Sequence, residues 1–501
     1  MGTHVDVLIA GAGISGIAAA YHLQRRCPGK SFTILEGRDR LGGTWDIFRF
    51  PGIRSDSDMH TLGFSFRPWP EKDWIGEGAD ILRYLEETAA EIGIEERIEF
   101  GKHIEGASFS TRDSRWTVQV RDTATGERHE YTCSFFWSCM GYYRYDRGYT
   151  PEFAGMDLFA GQILHPQFWD EDLDYEGKRV LIIGSGATAM TMLPVMATKA
   201  AKVTMLQRSP TYVIAWARHS RWRALLNFLL GPELAHRFIR WRNIKLMAFM
   251  YWSMRRFPNL TSRLLIRQAT KALGQDYDVE THFTPHYKPW DQRVCLVPDG
   301  DIFEPISDGR AEVVTDRIDT FTERGIRLES GAELEADIIV TATGFDLQWM
   351  GGVDIDIDGR AFDVPKSMIY KGCMLSDLPN AAFVFGYINS SWTLRAELVC
   401  DYVCRLLQLM DDRGYTQCCP VRDPSVDERP ALELTAGYVK RSEAITPAQG
   451  DRAPWRFNQS YALDKALLLD DPIDDGTLKL TSVSPAKTRE DLRAHHAVSG
   501  A

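Results

Sequence analysis

The stretch Val5-Asp6-Val7-Leu8-Ile9-Ala10-Gly11-Ala12-Gly13-Ile14-Ser15-Gly16 decides the reading of this chain. A short apolar run ends in a Gly-x-Gly-x-x-Gly turn, and a small-residue segment of helical character follows to about Arg26. Gly11 permits the tight turn, Gly13 lets a pyrophosphate approach the backbone, and Gly16 lets helix and strand pack closely. The helix N-terminus adds free N–H groups and the positive end of its dipole. Glu36 stands at the end of the next apolar run, where a carboxylate accepts hydrogen bonds from a ribose hydroxyl. Glycine triplets arise by chance, so the flanking strand, the helix and the acid are what give this one meaning.

The pattern recurs. Arg179–Ile183 leads into Gly184-Ser185-Gly186-Ala187-Thr188-Ala189, with Ala189 in the place of the third glycine. Where Glu36 stood there is now Gln207, followed by Arg208 and Ser209. A carboxylate at that point would repel a 2′-phosphate, whereas a guanidinium pairs with it through two charge-assisted hydrogen bonds. The second site therefore reads as one for NADP(H). Two dinucleotide folds in one chain suggest a hydride relay from NADPH to a tightly held flavin. No CxxC or CxxxxC follows the first turn, so oxygen or an external acceptor is left as the electron sink.

Working outward, the chain has 501 residues with a formal net charge of −11, 44% hydrophobic and 25% charged residues. That excludes a disordered, collagen-like or mostly membrane-embedded protein. The acidic total argues against a dedicated nucleic-acid binder. The nine cysteines are irregularly spaced and suggest neither a redox pair nor a zinc site, so reduced thiols and no metal are expected. The N-terminus runs straight into a strand with no signal-peptide pattern, and no apolar run reaches ~18 residues, so a cytoplasmic location is expected.

One segment departs from the average. From Arg218 to Arg267 there are eleven basic residues and a single acid, Glu233, interleaved with Trp222, Phe228, Phe238, Trp241, Phe249, Tyr251 and Trp252. This is the composition of an amphipathic helix at an anionic membrane surface. A helical cap over an active site, with its basic residues facing the acidic remainder, fits equally, and nucleic-acid binding is a third reading. In either of the first two, the apolar face would suit a long-chain substrate.

Beyond these patterns, the residues resemble the flavin-containing monooxygenase superfamily, and within it the Baeyer–Villiger monooxygenases. Phe159-Ala-Gly161-Gln-Ile-Leu-His165-Pro-Gln-Phe-Trp169-Asp170 fits the fingerprint FxGxxxHxxxW(P/D) at each fixed position. The sister class of heteroatom oxygenases usually ends this motif in Tyr. Gly42-Gly43-Thr44-Trp45, Phe50-Pro51-Gly52-Ile53-Arg54-Ser55-Asp56 and Ala342-Thr343-Gly344-Phe345-Asp346 are further similarities. Pro289-Trp290-Asp291-Gln292-Arg293 and Ser391-Trp392-Thr393-Leu394 are similar to a branch that contains an ethionamide-activating enzyme.

The resemblance implies an α/β fold with two Rossmann-like domains, the NADP domain nested within a sequence-split FAD domain, plus the helical insert. The expected segments are 1–150 (the N-terminal piece of the FAD domain), 151–217 with 276–335 (the NADP domain), 218–275 (the insert), 336–483 (the C-terminal piece of the FAD domain) and a flexible tail at 484–501. It implies FAD held by Gly11, Gly13, Gly16, Glu36, Gly43, Thr44 and Trp45, with Thr343 and Gly344 at a turn facing the flavin's ribityl-pyrophosphate region. NADP(H) would lie on Gly184, Gly186, Ala189, Arg208 and Ser209. Arg293 matches the family's active-site arginine, and Asp56 the aspartate that modulates it and meets the cofactor. Gln292 departs from the family's commoner Lys. The fingerprint residues belong to the hinge between domains. The implied reaction is insertion of oxygen beside a hydrophobic ketone carbonyl through a C4a-peroxyflavin, giving an ester or lactone, with sulfoxidation as a side activity. A sulfur- or nitrogen-oxidising flavin monooxygenase, or a non-catalytic nucleotide-binding or membrane-associated module, are the alternatives.

Overall fold

The computed structural model describes residues 3–218 and 221–483. The expected tail at 484–501 lies outside the described residues. Strand β1 (Thr3–Ala10) is buried on both faces from Val7 to Ala10, which is why it reads as a continuous apolar run rather than an alternating one. Helix α1 (Ile14–Arg26) carries the chain over to β2 (Phe32–Leu35), which pairs in parallel with β1. On the other side β1 pairs in parallel with β3 (Arg128–Ser138), so that Leu8 lies opposite both Thr33 and Phe136. Antiparallel strands Arg115–Asp122 and Lys102–Ser110 extend this sheet outward.

The chain then crosses out through β4 (Tyr143–Gly148) to a second unit. Its strands are β5 (Gln162–Leu164), β6 (Arg179–Ile183), β7 (Lys202–Gln207), β8 (Ala311–Thr315) and β9 (Ile338–Thr341). All run in parallel, in the order β8-β7-β6-β9-β5, and α2 (Ala187–Met196) joins β6 to β7. Between β7 and β8 the insert forms α3 (Arg221–Leu230), α4 (Pro232–Arg256) and α5 (Pro258–Leu273), and two short helices, Val279–Phe283 and Phe303–Ser307, follow it. The return passes through β10 (Phe345–Leu347), which pairs antiparallel with β4. Asp354–Ile357 and Ala381–Phe383 then rejoin the first sheet, and α6 (Trp392–Arg413) packs on α1.

The fold is the expected α/β arrangement with one unit interrupting the other, but one boundary moves. The sequence places the return at 336, whereas β9 completes the second sheet between β6 and β5, so the crossing lies at β10. An apolar run such as Ile338-Ile339-Val340 suits either sheet, and only its pairing partners decide. The segment of Ile47, Phe48 and Phe50 also reaches from the first unit into the hydrophobic core of the second.

Candidate active site

The two glycine turns are built alike. An ideal Cβ on Gly11 would sit 2.8 Å from Cys139 O, just past β3, and one on Gly16 would run into Gly11 O. In the second unit a Cβ on Gly184 would run into Ala342 O, just past β9. Each turn therefore nests against the end of the neighbouring parallel strand. Thr343 and Gly344 follow Ala342 at the second glycine turn, and Cys139 and Met140 flank the first. Neither α1 nor α2 has a side-chain cap or an acidic residue in its first turn, so both N-termini keep N–H groups for an anion. A Cβ on Gly186 would meet nothing within 4 Å, which is the open backbone a pyrophosphate requires.

Glu36, at the end of β2, accepts from Ala12 N at 2.8 Å and from Arg38 N at 3.0 Å, which locks the first glycine turn to the acid. Burial raises its carboxyl above the ordinary value, and the two N–H groups oppose that shift. Gly43 lies against Gly13, so the loop carrying Thr44 and half-buried Trp45 covers this turn. Buried Asp46 fixes that loop through Arg38 and Arg49, each at 2.6 Å. At the end of β7, Gln207 is buried and spends its amide on His282 O and Thr315 Oγ1, both at 2.8 Å. Arg208 is exposed beside it and has no hydrogen bond or ion pair among the described residues. Ser209 O accepts from Ser185 Oγ at 3.1 Å, tying β7 back to the glycine turn.

The fingerprint forms neither a helix nor a reactive site. Buried Phe159 packs against Gly161, the chain becomes β5, and His165 starts a short 3-10 turn over Pro166–Phe168. His165 Nδ1 accepts from Gln167 N at 3.2 Å and its Nε2 faces Gly344 O at 3.1 Å. Nδ1 as acceptor makes Nε2–H the donor to that carbonyl, so both ring nitrogens are engaged by a neutral imidazole. Burial lowers its pKa. Gln167, which the sequence reading passes over, donates to Arg144 O at 2.9 Å and Tyr145 O at 3.0 Å. His165 thus holds the return crossing and Gln167 the outgoing one. Half-buried Trp169 packs on the second unit's core, and exposed Asp170 accepts from Asp172 N at 3.0 Å.

Arg293 and Asp56 come together as an ion pair at 2.5 Å, with 34% and 44% of their side chains exposed. That exposure opens onto a cavity of about 50 Å³ whose wall also includes Met247, Met250, Tyr251 and Met254 of α4 and Trp290. The Asp56 carboxylate raises the Arg293 pKa above its already high ordinary value. Tyr142 and Tyr143, whose hydroxyls are 2.8 Å apart, carry phenols raised by burial and lie close enough to interact with that charge. Tyr142 stacks on Trp392, whose indole donates to Ser15 Oγ in the first glycine turn at 2.8 Å. No motif spacing announces the two tyrosines, because their place depends on where β3 ends. A larger surface depression of about 690 Å³, lined by Asp6, Lys30 and Asp411 among others, is polar and shares none of these residues.

The insert is anchored over this cavity. Arg240 donates to His60 O at 2.9 Å and Gly63 O at 2.8 Å and pairs with Glu397 at 2.9 Å. Asn243 donates to buried Asp58 at 2.8 Å, and Arg218 pairs with Asp73 at 3.0 Å and with Glu77.

Residues 69–352 match the family described as flavin-binding monooxygenase-like, and residues 9–71 match an NAD(P)-binding Rossmann-like domain. The chain is 50% identical over 481 residues to the FAD-containing monooxygenase EthA of Mycobacterium tuberculosis, covering 96% of this chain and 98% of that one. It is 48% identical over 483 residues to EthA of Mycolicibacterium smegmatis, again covering 96% and 98%. Among solved structures, an oxidised steroid monooxygenase bound to NADP superimposes with a TM-score of 0.78 at 21% identity, covering 96% of this chain and all of that one. A caprolactone-bound cyclohexanone monooxygenase does so with a TM-score of 0.75 at 19% identity, with the same coverage. At these identities the structural likeness speaks for the fold.

Proposed function

We propose, for a chain that belongs to the flavin-binding monooxygenase-like family, that it is an FAD-containing, NADPH-dependent monooxygenase of the Baeyer–Villiger type. Its substrates would be hydrophobic aliphatic or cyclic ketones, converted to esters or lactones, with sulfoxidation as a side activity. The observation that carries this reading is the Arg293–Asp56 pair in the wall of a cavity lined mainly by methionine, aliphatic and aromatic side chains, with Ser57, Asn389 and Ser390 as its other polar residues.

The residues suit the cofactors. FAD fits the first glycine turn, with Glu36 for a ribose and the Gly43–Trp45 loop over it. NADPH fits the second, with open Gly186 for the pyrophosphate and Arg208 for the 2′-phosphate. When bound, the flavin supplies two-electron chemistry with NADPH and the activation of dioxygen. Arg293 contributes a permanent cation where negative charge on a reacting oxygen is stabilised. Asp56 positions that guanidinium through a charge-assisted bond. Tyr142 and Tyr143, held protonated by burial, add no competing anion. Met247, Met250 and Met254 exclude water and adapt to apolar substrates of different shape.

Arg293→Ala is the test. The variant should still be reduced by NADPH, while ester formation from a ketone panel, followed by gas chromatography, falls about 10²- to 10³-fold. Ester formation at the wild-type rate would remove Arg293 from the chemistry. A wild-type enzyme that oxidises sulfides and amines but no ketone would replace the Baeyer–Villiger reading with heteroatom oxygenation.

A further inference from the structure

Helix α4 has two apolar sides. Its inner side places Ala235, Ile239, Met250 and Met254 against the body of the protein and the cavity. Its outer side steps by three and four residues through Leu234 (56% exposed), Phe238, Trp241 (57%), Lys245, Phe249 (60%) and Trp252 (52%), apolar but for the lysine. The neighbouring helices also expose apolar side chains, Phe228 of α3 at 86% and Leu260 and Leu264 of α5. Soluble monomers rarely leave a contiguous apolar patch of this kind uncovered, and where they do it marks a contact surface.

Apart from Arg242, which bonds Asn243 and lies over Trp74, Arg218 and the basic residues from Arg237 to Arg267 divide into two sets. Arg218, Arg240 and Arg255 turn to Asp73, Glu397 and Asp291 and hold the insert down. Arg237, Lys245, Arg256, Arg263 and Arg267 are exposed around the apolar stripe and carry no ion pair among the described residues. The cap reading thus accounts for the first set and leaves the second unexplained. A second copy of this chain laid on the same face would bring like charges together. Nucleic acid offers nothing for the exposed leucines. An anionic bilayer satisfies both features, since acyl chains take up the aromatic and aliphatic side chains and phosphates pair with the cations. No helix among the described residues is long and apolar enough to cross a membrane, so the contact is a surface one.

We propose that the outer face of α3–α5 docks the protein on an anionic lipid bilayer, with Phe238, Trp241, Phe249 and Trp252 entering the interface and Arg237, Lys245, Arg256, Arg263 and Arg267 meeting the headgroups. The proposal is independent of the reaction the cavity catalyses.

The test is flotation of the full-length flavoprotein with vesicles of mixed phosphatidylglycerol and phosphatidylcholine, or of phosphatidylcholine alone. The protein floats with the anionic vesicles, and binding to the neutral ones is at least about tenfold weaker. Phe238→Ser combined with Trp252→Ser lowers partitioning about 100-fold. Arg263→Gln and Arg267→Gln lower it about fivefold each. All of these variants keep the wild-type thermal midpoint and rate of reduction by NADPH. The proposal fails if the wild type does not float with anionic vesicles, or if the serine variant floats as well as the wild type. It also fails if sedimentation shows a dimer that the serine substitutions dissociate while vesicle binding is absent, which would make the face a self-interface.

Discussion

Replacing Arg208 by Ala should weaken the preference for NADPH over NADH and leave the chemistry of reduction intact. At the end of β7 the residue is exposed and has no competing partner among the described residues, so engaging a phosphate breaks no internal bond. Gln207 cannot take its place, because it is buried and its amide is committed to His282 O and Thr315 Oγ1. A hydrogen bond to a charged group contributes roughly 1.5–3 kcal/mol, or about 10- to 100-fold in affinity. Exposure and salt screening draw that toward the lower end. The dissociation constant for NADPH should therefore rise about tenfold at physiological ionic strength, and more at low salt. NADH, which lacks the 2′-phosphate, should change less than about twofold on the same reasoning. Stopped-flow reduction of the flavin separates binding from chemistry, and the limiting reduction rate at saturating NADPH should equal that of the wild type. Arg208→Lys should recover some of the loss as a point charge. Equal effects on the two nucleotides, or none on either, would refute the assignment and place the 2′-phosphate elsewhere.

Three further outcomes follow from packing and hydrogen bonding. Gly16→Ala puts a methyl group onto Gly11 O in the first turn, so the purified variant should lack bound flavin and unfold at lower temperature, by about 1–3 kcal/mol of overpacking. His165 has a lowered pKa in the folded state, so its neutral form contributes stability above about pH 6.5, and this is lost as pH falls through the lowered value; a His165→Gln variant should show a flatter acid limb in thermal unfolding between pH 7 and 5. Arg240→Met removes one donor each from Glu397 and three backbone carbonyls, at a cost of roughly 3–5 kcal/mol to the docking of the insert, and limited proteolysis should then cut within 218–275 faster than in the wild type.

The fold was legible where local chemistry dictates it. Gly11, Gly13, Gly16 and Glu36 satisfy a requirement that lies within thirty residues of chain, and Arg208 could be read against Glu36 because the two turns are equivalent. The pair of Arg293 and Asp56 was reachable through resemblance alone, since nothing at either position announces a partner 237 residues away. The place of Thr343 and Gly344 next to the second turn could not be read in advance, because parallel pairing of β9 with β6 is not encoded in the strand itself. Gln167 stayed hidden for a different reason: its role is to satisfy two carbonyls of β4, and any amide on a turn looks alike in sequence. The split of the insert's cations into anchoring and outward sets also needed the structure, since α4 is apolar on both sides and its periodicity points in two directions at once.

The two crossings run side by side as β4 and β10, hydrogen-bonded to each other and gripped by His165 and Gln167. This paired ribbon is therefore one tie between the units, and the segment of Ile47, Phe48 and Phe50 seated in the second unit's core is another. Asp56 belongs to the first unit and Arg293 to the second, and the ion pair between them joins the units beside Tyr143, where β4 begins. A spectroscopic label at either position would therefore report on how the two units meet.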